Sequence, residues 1–336
     1  MLRTLLERLS RNRVIRRRLP AELGGRVLFV SPDSAMKLWR RDLRRVDPLL
    51  FRLARELVRP GMAVWDVGAN VGIFTAAAAF LAGEAGSVLA IEADDWLAAL
   101  LHRSAAMRLP GQARIEVLSA AAAGRCGSAD LCLARRGRAA NHLATVGGSS
   151  EAGGTRAVRR VTTVTLDSLL ADHPLPALVK IDVEGAELEC LAGAGELLAR
   201  HRPLLVCEVS AAAAPEVGRL LAGAGYALYD AEAGAGERRP LPAPAWNTLA
   251  MPIDVRPAAP SDVLPAAPSD VRAVPSDARP PAPNDVLPAA PSDVRPAAPS
   301  DVLPAAPVAI PAVAPAGGPA AGSGAASRRE EPAGEP

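Results

Sequence analysis

Asp66, Gly68, Asn70 and Gly72 recur at every second position within Val64-Trp65-Asp66-Val67-Gly68-Ala69-Asn70-Val71-Gly72-Ile73-Phe74-Thr75. A short apolar run, a glycine turn and an Ala-rich segment predict a strand that passes into a helix. Glycines let a ligand approach such a bend closely, and backbone N–H groups are expected to point across it. Glu92 closes the next apolar run, Ser87-Val88-Leu89-Ala90-Ile91, 20 residues beyond Gly72. A carboxylate in that place can accept hydrogen bonds from ribose hydroxyls. Turn and acid together predict a nucleoside-bearing cofactor.

The glycine spacing narrows that cofactor. A dinucleotide fingerprint needs G-x-G-x-x-G, whereas here three residues separate Gly68 from Gly72. No Walker lysine follows, which excludes a P-loop. The D-x-G-x-N-x-G turn, with Ala69 inside it, suits a smaller ligand without phosphates, and S-adenosylmethionine is the obvious one. The plainer alternative is a βα turn that binds nothing. The joint presence of turn and acid argues against it.

A second segment carries charge where a buried strand should end: Leu178-Val179-Lys180-Ile181-Asp182-Val183-Glu184-Gly185-Ala186-Glu187. The chain has 36 arginines and two lysines, Lys37 and Lys180. A lysine at the end of this strand therefore suggests a role that the planar guanidinium cannot fill. Asp182 is expected beside the cofactor cleft. Glu184 and Glu187 favour a helix N-terminus, and for Glu187 that is the better reading. Asn141-His142 offers a second candidate base on a loop able to cover the site, although a single loop histidine is commonly just solvated. His102 is expected on an exposed helix face, and His173 and His201 in loops or at helix ends. Cys126, Cys132, Cys190 and Cys207 form no C-x-x-C pair and have no nearby histidine ligands. They predict a reduced, cytoplasmic protein without a metal site.

The elements that must position these residues alternate in kind. Strands are expected at 63–67, 87–91, 114–118, 161–166, 177–181, 203–209, 226–229 and 248–251, and helices at 72–81, 95–107, 186–198 and 215–224. Residues 124–160 read as an irregular insertion with one strand at 129–133. Parallel strands joined by helices make a doubly wound α/β sheet, which binds ligands beyond the carboxyl ends of its strands. Roughly 250 residues suffice for one full core.

Composition divides the chain into 1–44, 45–252 and 253–336. Residues 2–19 hold seven arginines and one acid, with Leu2, Leu5, Leu6 and Leu9 at helical spacing. This predicts a basic helical extension that lies weakly on an anionic membrane surface or an acidic partner or, more plainly, a solvated cap helix, since the apolar face fades after Leu9. No run is long enough for a membrane-spanning helix, and no secretory h-region is present. The last 84 residues contain 19 of the 32 prolines in near-repeats of Pro-Ala-Ala-Pro-Ser-Asp-Val, lack aromatics and carry a net charge of −4. A disordered, polyproline-biased tail is expected there.

These motifs resemble the FkbM-type methyltransferases. The resemblance rests on V-W-D-V-G-A-N-V-G-I-F-T and L-V-K-I-D-V-E-G-A-E-L-E-C-L-A-G-A. Thr165-Leu166-Asp167, Cys207-Glu208-Val209 and Trp246-Asn247-Thr248-Leu249-Ala250-Met251-Pro252 occur in the matching order. It covers 45–252 and leaves 124–160 and the tail unmatched. One departure is Glu92-Ala93, where such proteins usually have Glu-Pro; it affects loop rigidity rather than ribose binding. The resemblance implies a Rossmann-like methyltransferase sheet with helices on both faces. It also implies S-adenosylmethionine-dependent methyl transfer, typically to a hydroxyl of a sugar, glycolipid or natural product. By the resemblance, Asp66, Gly68, Asn70 and Gly72 surround the methionine portion and Glu92 the ribose.

The enzyme must then align an oxygen with the methyl group and help remove its proton. Asp182 is the first candidate base, with Lys180 tuning its charge or orienting substrate and His142 the second candidate. An inactive cofactor-binding scaffold that acts through its tail is the competing reading, and the glycine spacing disfavours a nicotinamide oxidoreductase. The acceptor is expected to be a small molecule, glycan or lipid and not a nucleic acid. It should meet residues 1–45 and 124–160, where Arg135, Arg136 and Arg138 suit an acidic or phosphorylated group.

Overall fold

The computed structural model describes residues 7, 9–107, 109–147 and 153–253. The expected tail from residue 254 onward, and Leu2, Leu5 and Leu6, lie outside the described residues.

The chain opens with a hairpin, β1 (Ile15–Arg18) and β2 (Val27–Val30), paired from Ile15↔Val30 to Arg18↔Val27. Where a basic helical extension over 1–44 is expected, residues 15–45 form this hairpin and short 3-10 turns. The reason is visible in the side chains. Leu28 and Val30 are buried while Val27 and Phe29 are only half-buried, a period of two that a helix cannot satisfy. Helix α1 (Pro48–Leu57) follows, capped by Asp47, whose Oδ1 accepts from the Leu50 N–H at 3.1 Å, with Pro48 in the first turn.

The central sheet comprises β3 (Ala63–Val67), β4 (Ser87–Glu92), β5 (Arg114–Ser119), β10 (Leu178–Ile181), β11 (Leu204–Glu208), β12 (Tyr226–Asp230) and β13 (Asn247–Pro252). Their spatial order is β12-β13-β11-β10-β3-β4-β5; β13 runs antiparallel to both neighbours and the other pairs are parallel. Chain direction across the sheet reverses between β3 and β10, which makes their carboxyl ends the switch point where such sheets bind ligands.

Each strand divides its side chains between two cores. Val64, Val88 and Leu178 pack with α1, with α2 (Ile73–Ala82) and with α3 (Asp95–Ala105). Trp65, Leu89 and Val179 face the other way, toward α4 (Glu187–Ala192) and α5 (Ala214–Gly223). In α2, Ala76 to Ala79 are each at most 1% exposed. Small side chains there hold the helix close to the sheet, and larger ones would overpack.

The sequence reading differs from the structure at two further elements. Residues 124–160 do not form an irregular insertion. They supply β7 (Gly127–Ala134), β8 (His142–Leu143) and part of β9 (Thr155–Val164), which with β6 (Ala121–Ala122) make a sheet in the order β6-β9-β7-β8. One face is largely solvated and the other buries only a small cluster around Leu131, Leu133, Leu143 and Val161. Arginines, threonines and glycines therefore dilute the hydrophobic alternation. The helix expected over 186–198 is interrupted: α4 ends at Ala192, a turn follows at 193–194, and the chain resumes as a π-helix over Leu197–His201.

Candidate active site

The turn after β3 is shaped by close contact with the end of β10. Lys180 pairs with Asp66 and Ile181 with Val67 in parallel register. Gly68, at φ +75°, then passes so near the Asp182 carbonyl that an added Cβ would lie 1.8 Å from its oxygen. Asn70 also adopts the left-handed region, φ 53°, which its short amide side chain tolerates. Contrary to the expectation that this turn offers N–H groups to a ligand, they are occupied internally. Gly68 and Ala69 both donate to the Ile91 carbonyl, and Gly72 donates to the Ala69 carbonyl. The Asn70 N–H donates to Glu92 Oε2 at 2.7 Å.

A cavity of about 300 Å³ opens beyond these strand ends. Gly68, Ala69, Asn70 and Glu92 line it, as do Lys180, Asp182 and His142. Two expected cofactor residues do not. Asp66 is fully buried behind the surface, where its Oδ2 accepts from Thr75 Oγ1 at 2.5 Å. Gly72 caps α2 against Leu101, which leaves no room for a Cβ. Both build the site without lining it.

Lys180 is the hub of one wall. Its Nζ lies 3.2 Å from Asp182 Oδ2, 3.4 Å from Asp66 Oδ1 and 3.5 Å from the Gly68 carbonyl. Burial alone would lower its pKa, but the Asp182 and Asp66 carboxylates reverse that and hold it above the ordinary lysine value. Lys180 is therefore a fixed cation and not a base. Asp66 Oδ1 has this ion pair but no aligned hydrogen bond. Asp182 is one-third exposed to the cavity.

Glu208, at the end of the adjacent strand β11, also lines the cavity. Burial first, and the Asp182 charge second, push its carboxyl up to about 7. Glu208 carries no signal of its own in the Cys207-Glu208-Val209 motif; its alignment beside Asp182 comes only from the β10–β11 pairing, Ile181↔Cys207.

Glu92 has one backbone N–H on each oxygen, Asn70 on Oε2 and Asp94 on Oε1 at 2.8 Å. Each oxygen keeps a lone pair for a further donor. Burial raises its pKa to about 7, against the opposing pull of the Asp94 and Asn70 N–H groups.

The opposite charge arrangement surrounds Arg138. Its Nε lies 2.9 Å from Asp33 Oδ2 and its Nη1 2.5 Å from Asp94 Oδ2, and the guanidinium stacks 4.5 Å from the Trp96 ring centroid. Arg156 adds two bonds to Asp33 at 3.2 Å, and Asn141 donates to Asp94 at 2.8 Å. Ser34 bonds the Asn70 side chain, so this latch reaches the glycine turn. Arg138 is thus saturated and does not await an acidic acceptor, while Arg135 and Arg136 lie exposed outside the cavity. Asp33 and Asp94 went unread in sequence; Asp94 had a signal, as the capping acid before α3.

His142 belongs to β8, opposite Cys132, and not to a covering loop. It is 7% exposed, with Nδ1 3.2 Å from the Ala140 carbonyl. Glu187 accepts from the Gly185 N–H at 2.7 Å, the local role expected at a helix start. His173 lies 3.7 Å from Glu116, a partner 57 positions away in sequence.

The donor set suits a cationic, nucleoside-bearing ligand. Five carboxylates line the cavity against three cations, each already paired with a carboxylate: Lys37 with Asp47, Lys180 with Asp66 and Asp182, and Arg138 with Asp33 and Asp94. With a Rossmann-like sheet and this site, the chain is an S-adenosylmethionine-dependent methyltransferase. Residues 66–228 match the methyltransferase FkbM domain.

Solved structures of similar fold include precorrin-6y C5,15-methyltransferase from Geobacter metallireducens, at 13% identity over 65% of this chain and 92% of that one, TM-score 0.35. A methyltransferase FkbM from Methylobacillus flagellatus shares 16% identity over 63% of this chain and 60% of its own, TM-score 0.36. An S-adenosylmethionine-dependent O-methyltransferase from Thermotoga maritima shares 15% over 62% and 65%, TM-score 0.34. No curated protein matches the chain.

Proposed function

We propose that this protein methylates a hydroxyl oxygen on a sugar, glycolipid or natural product. The observation that carries this reading is the carboxylate pair Asp182 and Glu208 at the ends of adjacent strands, beside the fixed cation Lys180.

S-adenosylmethionine, when bound, supplies an activated methyl group whose transfer needs alignment and removal of one proton. Glu92 holds the ribose through its two free lone pairs, and the Gly68–Asn70 turn contacts the methionine end. Lys180 orients Asp182 through their 3.2 Å contact, so that Asp182 accepts the hydroxyl proton, with Glu208 beside it to share it. Carboxylate oxygens accept hydrogen bonds, so Asp182 favours an acceptor that presents O–H donors over a phosphate. Four free cysteines support a reducing, cytoplasmic setting.

The test is calorimetric binding of S-adenosylmethionine, followed by release of S-adenosylhomocysteine across a hydroxylated acceptor library. Binding without turnover on any acceptor would favour the scaffold reading. Binding of NADH in its place would overturn both.

A further inference from the structure

The positive charge of this chain is concentrated in one short segment. Residues 11–45 contain 11 cations and three acids, a net of +8, while the whole chain is +2. The remainder is therefore net acidic, and the cluster is not a general arginine bias.

Part of this cluster is internally matched. Arg26 is buried on Gln112, Arg17 bonds the carbonyls of Leu38, Trp39 and Arg40, and Arg44 pairs with Asp42. Arg13, Arg40, Arg41 and Arg45 are exposed and pair with no carboxylate among the described residues. They are also neighbours. Arg40, Arg41 and Arg45 surround a shallow surface depression with Asp42. Arg40 donates to the Arg45 carbonyl at 3.4 Å, and Arg13 stacks 5.5 Å from the Trp39 ring centroid.

Apolar side chains stand exposed in the same place. Trp39 is 37% exposed, Val14 37% and Leu9 53%. Trp39 Nε1 donates to Ser10 Oγ at 2.9 Å, which ties the tryptophan to the residue after Leu9. Val14 follows Arg13, the stacking arginine. An exposed aliphatic and indole patch rimmed by unpaired arginines matches a bilayer interface, where tryptophan sits at headgroup depth and arginine meets lipid phosphate. Single-stranded nucleic acid would call for several free aromatic faces, and this patch exposes one, Trp39, with Arg13 stacked on it. The patch adjoins the cavity: Lys37 and Leu38, next to Trp39, line it, and Lys37 is half exposed at its rim.

We infer that Arg40, Arg41 and Arg45, with Arg13, Trp39 and Leu9, form a docking face for an anionic lipid bilayer. Docking brings the cavity rim to an acceptor held in or on that membrane. Only this last consequence rests on the proposed methyl transfer; the docking face itself does not.

Flotation of the full chain with vesicles tests it. Vesicles of phosphatidylcholine with about 30% phosphatidylglycerol should bind the protein, and phosphatidylcholine alone should not; salt should weaken the binding. The triple variant Arg40→Glu, Arg41→Glu, Arg45→Glu should lower partition at least roughly tenfold, with S-adenosylmethionine binding by calorimetry unchanged. Brominated lipid should quench a fluorescence component that is absent from Trp39→Phe. Equal partition of variant and parent, or tight binding of an RNA oligonucleotide without vesicle binding, overturns the inference. So does competition by soluble glycerol phosphate at the lipid's own effective concentration, which would mark a free-phosphate site. Loss of cofactor binding in the parent protein would strike the methyl-transfer reading and leave the docking result standing.

Discussion

Lys180 and Arg138 are both buried cations held between carboxylates, and both line the same cavity, yet their surroundings differ. Arg138 forks between Asp33 and Asp94 at 2.9 and 2.5 Å, stacks on Trp96, and shares Asp33 with Arg156. Lys180 touches its carboxylates at 3.2 and 3.4 Å, leaving Asp66 Oδ1 without an aligned hydrogen bond and Asp182 partly open to the cavity. The planar guanidinium saturates its anions and closes a wall, whereas the compact ammonium fixes charge while leaving lone pairs available. In a chain with 36 arginines and two lysines, the lysine stands where saturation would be a defect.

The sharpest way to break that contrast is Lys180→Met. It leaves the Asp66 carboxylate buried and unpaired, which should cost about 3–5 kcal/mol in chemical denaturation and abolish turnover. Lys180→Arg should restore neither, since the larger head does not fit between strands in register. Asp182→Asn probes the open side of the same hub. Its turnover should fall roughly 10²–10⁴-fold while S-adenosylmethionine affinity and stability stay near those of the parent, as a steady-state assay with calorimetry would show. Equal losses in binding and turnover would demote Asp182 from base to structural anchor.

On the saturated side, Arg138→Met should cost about 2–4 kcal/mol of stability by uncovering Asp33 and Asp94. Arg156 still pairs with Asp33, so the loss should be smaller than for Lys180→Met. A double-mutant cycle with Asp94→Asn should return a coupling of about 1 kcal/mol or more.

The smallest effect concerns Glu92→Gln. In the proposed complex the ribose hydroxyls bond its carboxylate, whose pKa stands at about 7 in the ligand-free protein. Cofactor affinity should therefore weaken as pH falls below about 7 and level off above it. The variant should bind roughly tenfold more weakly, with a flat profile. The effect on the ligand-free fold has the opposite sign. A carboxyl raised from 4.5 to about 7 stabilises below pH 4.5, and that contribution is lost as pH rises through 7.

The same contrast explains what was legible in the sequence. The Lys180 wall is written in two short segments, each a strand and its following turn, and parallel pairing of Lys180 with Asp66 brings them together. Local order thus revealed the doubly wound sheet, the glycine turn, Glu92 and Asp182. The occupied N–H groups of Gly68 and Ala69 were not legible, because their acceptor, the Ile91 carbonyl, carries no side-chain signature. The Arg138 latch was hidden for another reason. Its members lie 105 positions apart at Asp33 and 44 apart at Asp94, and only Arg156 sits in a strand, β9, whose alternation is weak.

Those separations also impose an order of assembly. During synthesis, the Asp33 segment emerges early and has neither arginine partner until residues 138 and 156 follow, 105 and 123 positions later. Closing so long a loop costs little more entropy than a shorter one, but it cannot precede the chain that closes it. Strands β3 to β5 are thus available to pair while the cavity still lacks a wall. A nascent chain halted before residue 138 would hold the Gly68–Gly72 segment and Glu92 but neither β10, against which the glycine turn packs, nor an enclosed chamber.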